Sequence, residues 1–400
     1  MNENNQLPVE PIPYKKALFG VFLGGIIAFS TEYSLQPILS LLSQTFNLSP
    51  AATSWAISIA ILSMAFTMPM LANKSHLLPR KKVMSVSLIL ACLLTGAVGL
   101  CEDFRLLLFV RMVQGCLLAT IPILTIAYIN EEVPIEHVGV GVGIYISGTT
   151  IGGLLGRVAV SALTDYLTWR PAVIVIGVIS AVLSLLFMYY LPAPRHDPKA
   201  NKAMGGFFIR AKAFFGGPNS LVPVFLIACC CMGSFVSIFN YLPYVLVKPP
   251  YSLSQTIIGS LFLTYLFGTV NSTVMGRMAD RHGATRIIML NTAIMLCGLV
   301  LTLLPSLAGK FIALALICTG QFGTHSSACS ILGKLVPNDS ALASSIYMFS
   351  YYVGASLVGS GSGLCFQAFG WFGVVALACG LVAFSLLLAI KLHLAHADLR

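Results

Sequence analysis

The chain has 400 residues, a formal net charge of +10, and 9% charged against 57% hydrophobic side chains. Soluble domains carry about 25% charged residues, so this composition excludes a soluble enzyme and a soluble nucleic-acid-binding domain and defines a polytopic membrane protein. No folded basic domain accounts for the positive charge, which marks topology and attraction to anionic lipid.

Residues 1–16, MNENNQLPVEPIPYKK, are polar and Pro-rich and read as a disordered tail rather than a signal peptide. A bilayer-spanning helix needs roughly 20 mostly apolar residues. Cutting the chain at its charged, Pro-rich and Gly/Ser-rich breaks predicts twelve, near 17–42, 51–72, 83–101, 104–128, 139–163, 170–191, 219–246, 255–275, 287–306, 310–332, 341–366 and 371–391. Six spans at 17–191 and six at 219–391 form two bundles. Between them, 192–218 combines Pro, Gly and basic residues into a linker with a short surface helix near 207–215. Residues 392–400 form a second tail. An even number of spans puts both termini on one side. That side also carries Lys74, Arg80-Lys81-Lys82, the basic linker, Arg277, Arg281, Arg286 and Lys334, whereas the loops opposite hold Arg105, Arg170, Lys248 and Lys310. The positive-inside rule places both termini in the cytoplasm.

In the first segment, IIAFSTEYSLQPIL sets Glu32 inside an apolar run. An ionised side chain at the bilayer centre costs about 2.5–3.5 kcal/mol on insertion scales, and Glu32 is the one acid predicted deep in a span. The helical rise puts it roughly 15 Å from the outer end of its segment, and Arg111 in segment four and Arg157 in segment five about 10 Å from theirs. One carboxylate and two guanidiniums converge in one leaflet of the first half. In one reading Glu32 exchanges a proton and Arg111 biases it, since a nearby cation favours the charged carboxylate and burial the neutral one. In the other, Glu32 forms a fixed salt bridge with Arg111 or Arg157, or simply reaches the outer water. The second arginine hints at an anionic or carboxylate-bearing substrate, unless Arg157 bonds backbone carbonyls.

Further along, Gly148, Gly152 and Gly156 have the four-residue spacing of close helix packing. Segment seven offers Asn240, Tyr241 and Tyr244 around Pro243, a residue able to break the helix. Segment ten holds Gln321 and His325, a group that titrates near neutral pH or packs as a satisfied histidine. Tyr347, Tyr351 and Tyr352 of segment eleven read as an aromatic wall or as helix packing. The eleven cysteines, Cys229-Cys230-Cys231 included, lack ligand-like spacing and read as small hydrophobes rather than a metal site.

The halves echo each other: GIYISGTTIGGLLG in segment five and SIYMFSYYVGASLVG in segment eleven follow turns at Pro134 and Pro337, as in a parallel repeat. Over essentially its whole length the chain resembles a major facilitator superfamily transporter. Within that superfamily it is similar to the drug/proton antiporter branch, and most closely to bacterial arabinose-efflux-type inner-membrane permeases. GRMADRHGATR resembles the family's cytoplasmic loop motif at Gly276, Asp280, Arg281, Gly283 and Arg286, while the first-half loop ANKSHLLPRKK departs from it at His76 and Pro79. Arg111 in RMVQG resembles the buried arginine tied to proton coupling. The stretch through Gly143, Gly148, Gly152 and Gly153 resembles the antiporter signature, with Thr149 in place of its proline.

The resemblance implies an all-α membrane fold of twelve helices in two pseudo-repeated bundles, with segments one, four, seven and ten around a central cavity. Tyr33, Gln36, Arg157, Asn240, Tyr241, Tyr244, Gln321, Tyr347 and Tyr351 are the expected substrate contacts, a lining suited to moderately sized amphipathic molecules. Glu32, Arg111 and His325 are the expected proton-coupling residues, and the loop motif and glycines the expected gating elements. The expected protein is a monomer in a bacterial inner membrane, working on a small molecule with protons and lipids as partners and without cofactor or metal. Proton-driven export is the expected activity and proton-coupled uptake the alternative. An integral-membrane enzyme would need clustered nucleophiles, metal ligands or a phosphate loop, and a sensor an output domain; the sequence offers none.

Overall fold

The computed structural model describes residues 14–74, 77–194, 212–216, 220–336 and 340–395, and the regular structure within them is helical. The tail 1–13, most of the linker, His76, Pro337 and residues 396–400 lie outside the described residues. Of the surface helix predicted near 207–215, the described part is a 3-10 turn, Ala213–Phe215.

Eleven segments are long and apolar enough to cross a membrane. The first, expected as one helix over 17–42, is broken. Helix α1 (Tyr14–Tyr33) ends beside Glu32, a 3-10 turn follows at Gln36–Ile38, and α2 (Leu39–Phe46) completes the span. Pro37 is the physical reason, because it has no N–H to continue the ladder and its ring crowds the preceding turn. Helices α3 (Pro50–Lys74) and α4 (Arg80–Val98) are single. Helix α5 (Phe104–Leu118) starts on Asp103, whose carboxylate accepts the Arg105 N–H, and runs almost directly into α6 (Thr120–Glu132). Helices α7 (Val138–Tyr166) and α8 (Trp169–Tyr190) finish the first half.

In the second half α9 (Val222–Leu246) passes through Pro243 without a break. The sequence expectation is corrected here: Pro243 lies in the last turn, so its missing N–H removes a single bond just before the helix ends. Helix α10 (Gln255–Ser260), capped by Ser254, tightens into a 3-10 stretch at Leu261–Thr264 and continues as α11 (Tyr265–His282). Gly283 follows at φ 92°, a backbone open to glycine at no steric cost, and reverses the chain into α12 (Ala284–Leu301). After α13 (Leu307–Leu335) come α14 (Ser340–Val353), a π-helical turn at Gly354–Val358, and α15 (Gly359–Ala395). The last apolar stretch, Leu342–Ala395, has 54 residues. At about 1.5 Å per residue it far exceeds a hydrocarbon core of about 30 Å. It is interrupted at Gly370 (φ 62°, ψ −150°), between the two segments expected at 341–366 and 371–391.

The same pairing recurs in each half. A Cβ on Gly148, Gly152 or Gly156 of α7 would collide with the carbonyl oxygens of Phe22, Ile26 and Ser30, one turn apart along α1. In the second half a Cβ on Gly354 would collide with Cys229 O of α9. Glycine lets these backbones touch, which is how helices associate where lipid removes the hydrophobic drive between them.

Hydrogen bonds between the halves gather at the end of the bundle opposite Arg80, Arg281 and Lys334. Tyr244 donates to Leu39 O at 2.9 Å, Ser360 to Ser58 Oγ at 2.7 Å, and Gln36 to Asn240 at 2.8 Å. Asp165, at the last turn of α7, accepts the N–H groups of Gln255 and Thr256 at 2.9 and 2.8 Å. It thereby holds the first turn of α10, where amides are otherwise unpaired. We call this the far end and the other the basic end.

Candidate functional site

The break in the first span creates the site. The end of α1 leaves carbonyls without helical donors, and Arg111 of α5 supplies them. Its Nη2 donates to Glu32 O at 2.7 Å and Nη1 to Thr31 O at 3.5 Å, while Nε donates to Ala56 O of α3 at 2.8 Å. Nη1 also donates to Gln114 Oε1 at 2.5 Å, and Gln114 Nε2 in turn donates to Thr95 Oγ1 at 2.7 Å. Arg111 therefore ties α1, α3 and α5 together through backbone acceptors, with its positive charge at the negative end of the α1 dipole. Gln114 was not singled out from the sequence, although its place three residues after Arg111 puts both on one helix face.

The Glu32 carboxyl is 2% exposed. Oε1 is 3.7 Å from Arg111 Nη2, yet neither carboxyl oxygen accepts a hydrogen bond. The guanidinium spends its donors on the Glu32 main chain rather than on its side chain. The result is a buried acid beside a cation, without the close bidentate geometry of a fixed Arg–carboxylate pair.

Arg157 meets a different set of partners in the same region. Its Nε donates to Gln36 Oε1 at 2.8 Å and its Nη1 to Gly153 O at 2.6 Å. Gly153 makes room for it, since a Cβ there would sit 3.1 Å from Nη1. The guanidinium carbon lies 4.2 Å from the Tyr33 ring centroid, 4.9 Å from that of Tyr265 and 5.0 Å from that of Phe262, within cation–π range. Tyr33 and Gln36 belong to the first half and Phe262 and Tyr265 to the second, so the group straddles the seam. The three predicted charges share one region: Glu32 lies closest to Arg111, Arg157 also acts on it through space, and among the described residues no acid reaches ion-pair distance of Arg157. Phe262 and Tyr265 escaped the sequence reading because a single Phe or Tyr in an apolar run carries no periodic signal.

The other predicted contacts sort by depth. His325 is bound to Tyr347, Nδ1 to Oη at 2.9 Å, and its ring packs on Tyr347 and Tyr351 at 5.5 and 4.8 Å. It touches neither Glu32 nor Arg111 among the described residues. Gln321, 1% exposed, rests on Met232. Tyr241 donates to Ser360 O and stacks on Phe366, and Tyr244 donates to Leu39 O. Expected as cavity contacts, these two tyrosines spend their hydroxyls on main-chain carbonyls at the far end.

At the basic end Asp280 accepts from Lys334 at 3.0 Å and Ser330 at 2.9 Å, bracing α11 against α13. Gly276 packs on Ser326. Arg281, Gly283 and Arg286 line a cavity of about 420 Å³ with Lys334 and His393. In the first half, where the loop lacks an acid, Arg80 pairs with Glu131 of α6.

This arrangement of paired helical halves around a buried charge site is that of a membrane transporter. The Major Facilitator Superfamily matches residues 21–324 and 224–397, and the chain belongs to that family. It is 35% identical to the uncharacterized MFS-type transporter YybF of Bacillus subtilis (strain 168), covering 95% of this chain and 93% of that one. It is 34% identical to the inner membrane transport protein YnfM of Escherichia coli (strain K12), with coverage of 95% and 91%. Among solved structures it resembles a bacterial homolog of the human lysosomal transporter Spinster, in an inward-facing and occupied conformation. The TM-score is 0.76 at 15% identity, over 96% of this chain and 97% of that one, a likeness of fold.

Proposed function

We propose that this protein is a proton-coupled secondary transporter in which Glu32 carries the proton. The observation that carries this reading is a carboxyl 2% exposed, 3.7 Å from a guanidinium and without a hydrogen bond to either oxygen. Burying an ionised carboxylate without donors is expensive, so a proton on Glu32 lowers the cost of this closed arrangement. Reopening the far end would wet the break between α1 and α2 and let the proton exchange with solvent. Arg111 acts as the positioning residue, holding the broken helix end so that Glu32 moves with the span. His325, in its aromatic pocket, is the secondary candidate for proton handling.

In this reading the chain crosses a bacterial inner membrane twelve times, with Gly370 separating the last two crossings and both termini in the cytoplasm. Bundles 17–191 and 219–391 rock about the seam, joined by the linker 192–218, and the protein works as a monomer on a small organic solute without cofactor or chemical step. The basic end then opens to the cytoplasm. Export driven by proton entry follows from the antiporter-like residues Arg111, Gly148, Gly152 and Gly153. A specific observation favours a second reading, proton-coupled uptake: Arg157 lacks an acidic partner, so protonating Glu32 raises the positive charge of the site and strengthens its hold on an anion. Synergy of that sign belongs to symport.

Cellular accumulation of a panel of toxic organics, sugars and carboxylates tests the proposal, comparing cells that make the wild type, Glu32→Gln, or neither. Export predicts lower accumulation of a compound with the wild type and uptake higher accumulation, in both cases lost in Glu32→Gln. Gradient-driven transport that persists in a well-folded Glu32→Gln protein rules out Glu32 as the proton carrier.

A further inference from the structure

We infer that the substrate is an organic carboxylate bound at the seam by Arg157 and Asn240. The inference rests on the transporter reading above and deepens it. Its ground is the direction of a hydrogen-bonded chain. An arginine only donates, so the Gln36 atom 2.8 Å from Arg157 Nε is its carbonyl Oε1, and the amide Nε2 is the atom facing Asn240 at 2.8 Å. That makes the Asn240 atom in contact its acceptor Oδ1 and leaves Nδ2 as a spare donor. Asn240 is 0% exposed, and Nδ2 has no partner. At the other end of the chain Arg157 has used Nε and Nη1, and Nη2 has no acceptor among the described residues. A relay of amides thus joins two unsatisfied donors, one of them cationic, across the seam.

Arg111 supplies the contrast. Its donors meet four acceptors, three of them main-chain carbonyls, so its hydrogen bonding is complete whether or not Glu32 carries a proton. Arg157, 3% exposed and beside three aromatic faces, has cation–π contacts but, among the described residues, no acid within ion-pair distance. Intramembrane charges are tolerated when paired or facing a polar cavity, and an unpaired buried donor such as Asn240 Nδ2 is costly. A ligand with two acceptor oxygens and one negative charge repairs both deficits. Neutral solutes leave the charge uncompensated, and cations add to it. Because Tyr33 and Gln36 come from one half and Asn240, Phe262 and Tyr265 from the other, such a ligand also touches both moving parts.

The test is binding to purified full-length protein in detergent at fixed pH, without any gradient. Thermal stabilisation would be measured with monocarboxylates of graded size, straight-chain and aromatic with benzoate included, each against its amide and its amine. The expected result is stabilisation by at least one carboxylate and not by its amide or amine. Arg157→Gln should weaken that carboxylate's binding by about 10- to 100-fold, the worth of a hydrogen bond to a charged group. Arg157→Lys and Asn240→Ala should keep part of it. The wild-type panel reads charge preference by itself, so the proposal stays testable if a variant fails to fold. No stabilisation by any carboxylate, equal stabilisation by the amides or amines, or unchanged affinity in folded Arg157→Gln would each overturn it. The assay involves no proton movement, so its failure leaves Glu32 as a coupling site untouched, and loss of that coupling role would leave anion binding standing.

Discussion

At the scale of single residues, two arginines with the same charge and nearly the same burial do different work. Arg111 is spent on main-chain carbonyls at a broken helix end; Arg157 retains a donor. Arg111→Lys keeps the charge but loses the planar fork, and a single ammonium cannot serve acceptors on α1, α3 and Gln114 together. We expect a loss of at least about 2 kcal/mol of stability, seen as a lower midpoint of thermal unfolding in detergent. An unchanged midpoint would mean that the carbonyls of Thr31, Glu32 and Ala56 find other donors. That Glu32 is out of place in an apolar span is legible in the sequence, because charge is scarce in this chain and costly to bury. Which arginine it meets is not, since helical rise gives depth but not rotation, and 3.6-residue periodicity is faint in helices apolar on most faces.

At the scale of elements, the breaks matter as much as the helices. Pro37 ends α1 at the charged site, whereas Pro243 leaves α9 intact, and the two cannot be told apart from sequence: the outcome depends on distance from the helix end and on what Arg111 stands ready to cap. The spacing of Gly148, Gly152 and Gly156 was more legible, because small residues four apart define one face whatever partner they meet. That the partner is α1, register for register, required the structure. Gly152→Ala should therefore cost about 1–3 kcal/mol by overpacking against Ile26. Gly139→Ala on the same helix, where a Cβ meets nothing within 4 Å, should be neutral or stabilise by up to about 1 kcal/mol. Equal effects of the two substitutions on thermal unfolding would contradict close α1–α7 contact.

At the scale of the whole molecule, two repeated halves are held at the far end by a short set of cross-seam bonds, with Asp165 on the first turn of α10 as the charged one. Asp165→Ala should raise hydrogen–deuterium exchange at the Gln255 and Thr256 amides by about tenfold or more, matching the loss of charge-assisted hydrogen bonds. Unchanged exchange there would mean that α10 is held by other contacts. The succession of apolar segments and the charge bias of the loops are legible in the sequence, while the cross-seam bonds of Asp165 are not, because Asp165 reads there as an ordinary helix-end acid. Glu32 is proposed to couple a proton to the rocking of the two halves. The most direct measurement compares wild type and Glu32→Gln in proteoliposomes, using the solute selected by the accumulation panel, under an imposed pH gradient and in gradient-free counterflow. Glu32→Gln should lose uphill transport and retain counterflow; uphill transport persisting at the wild-type rate would rule out Glu32 as the coupling residue.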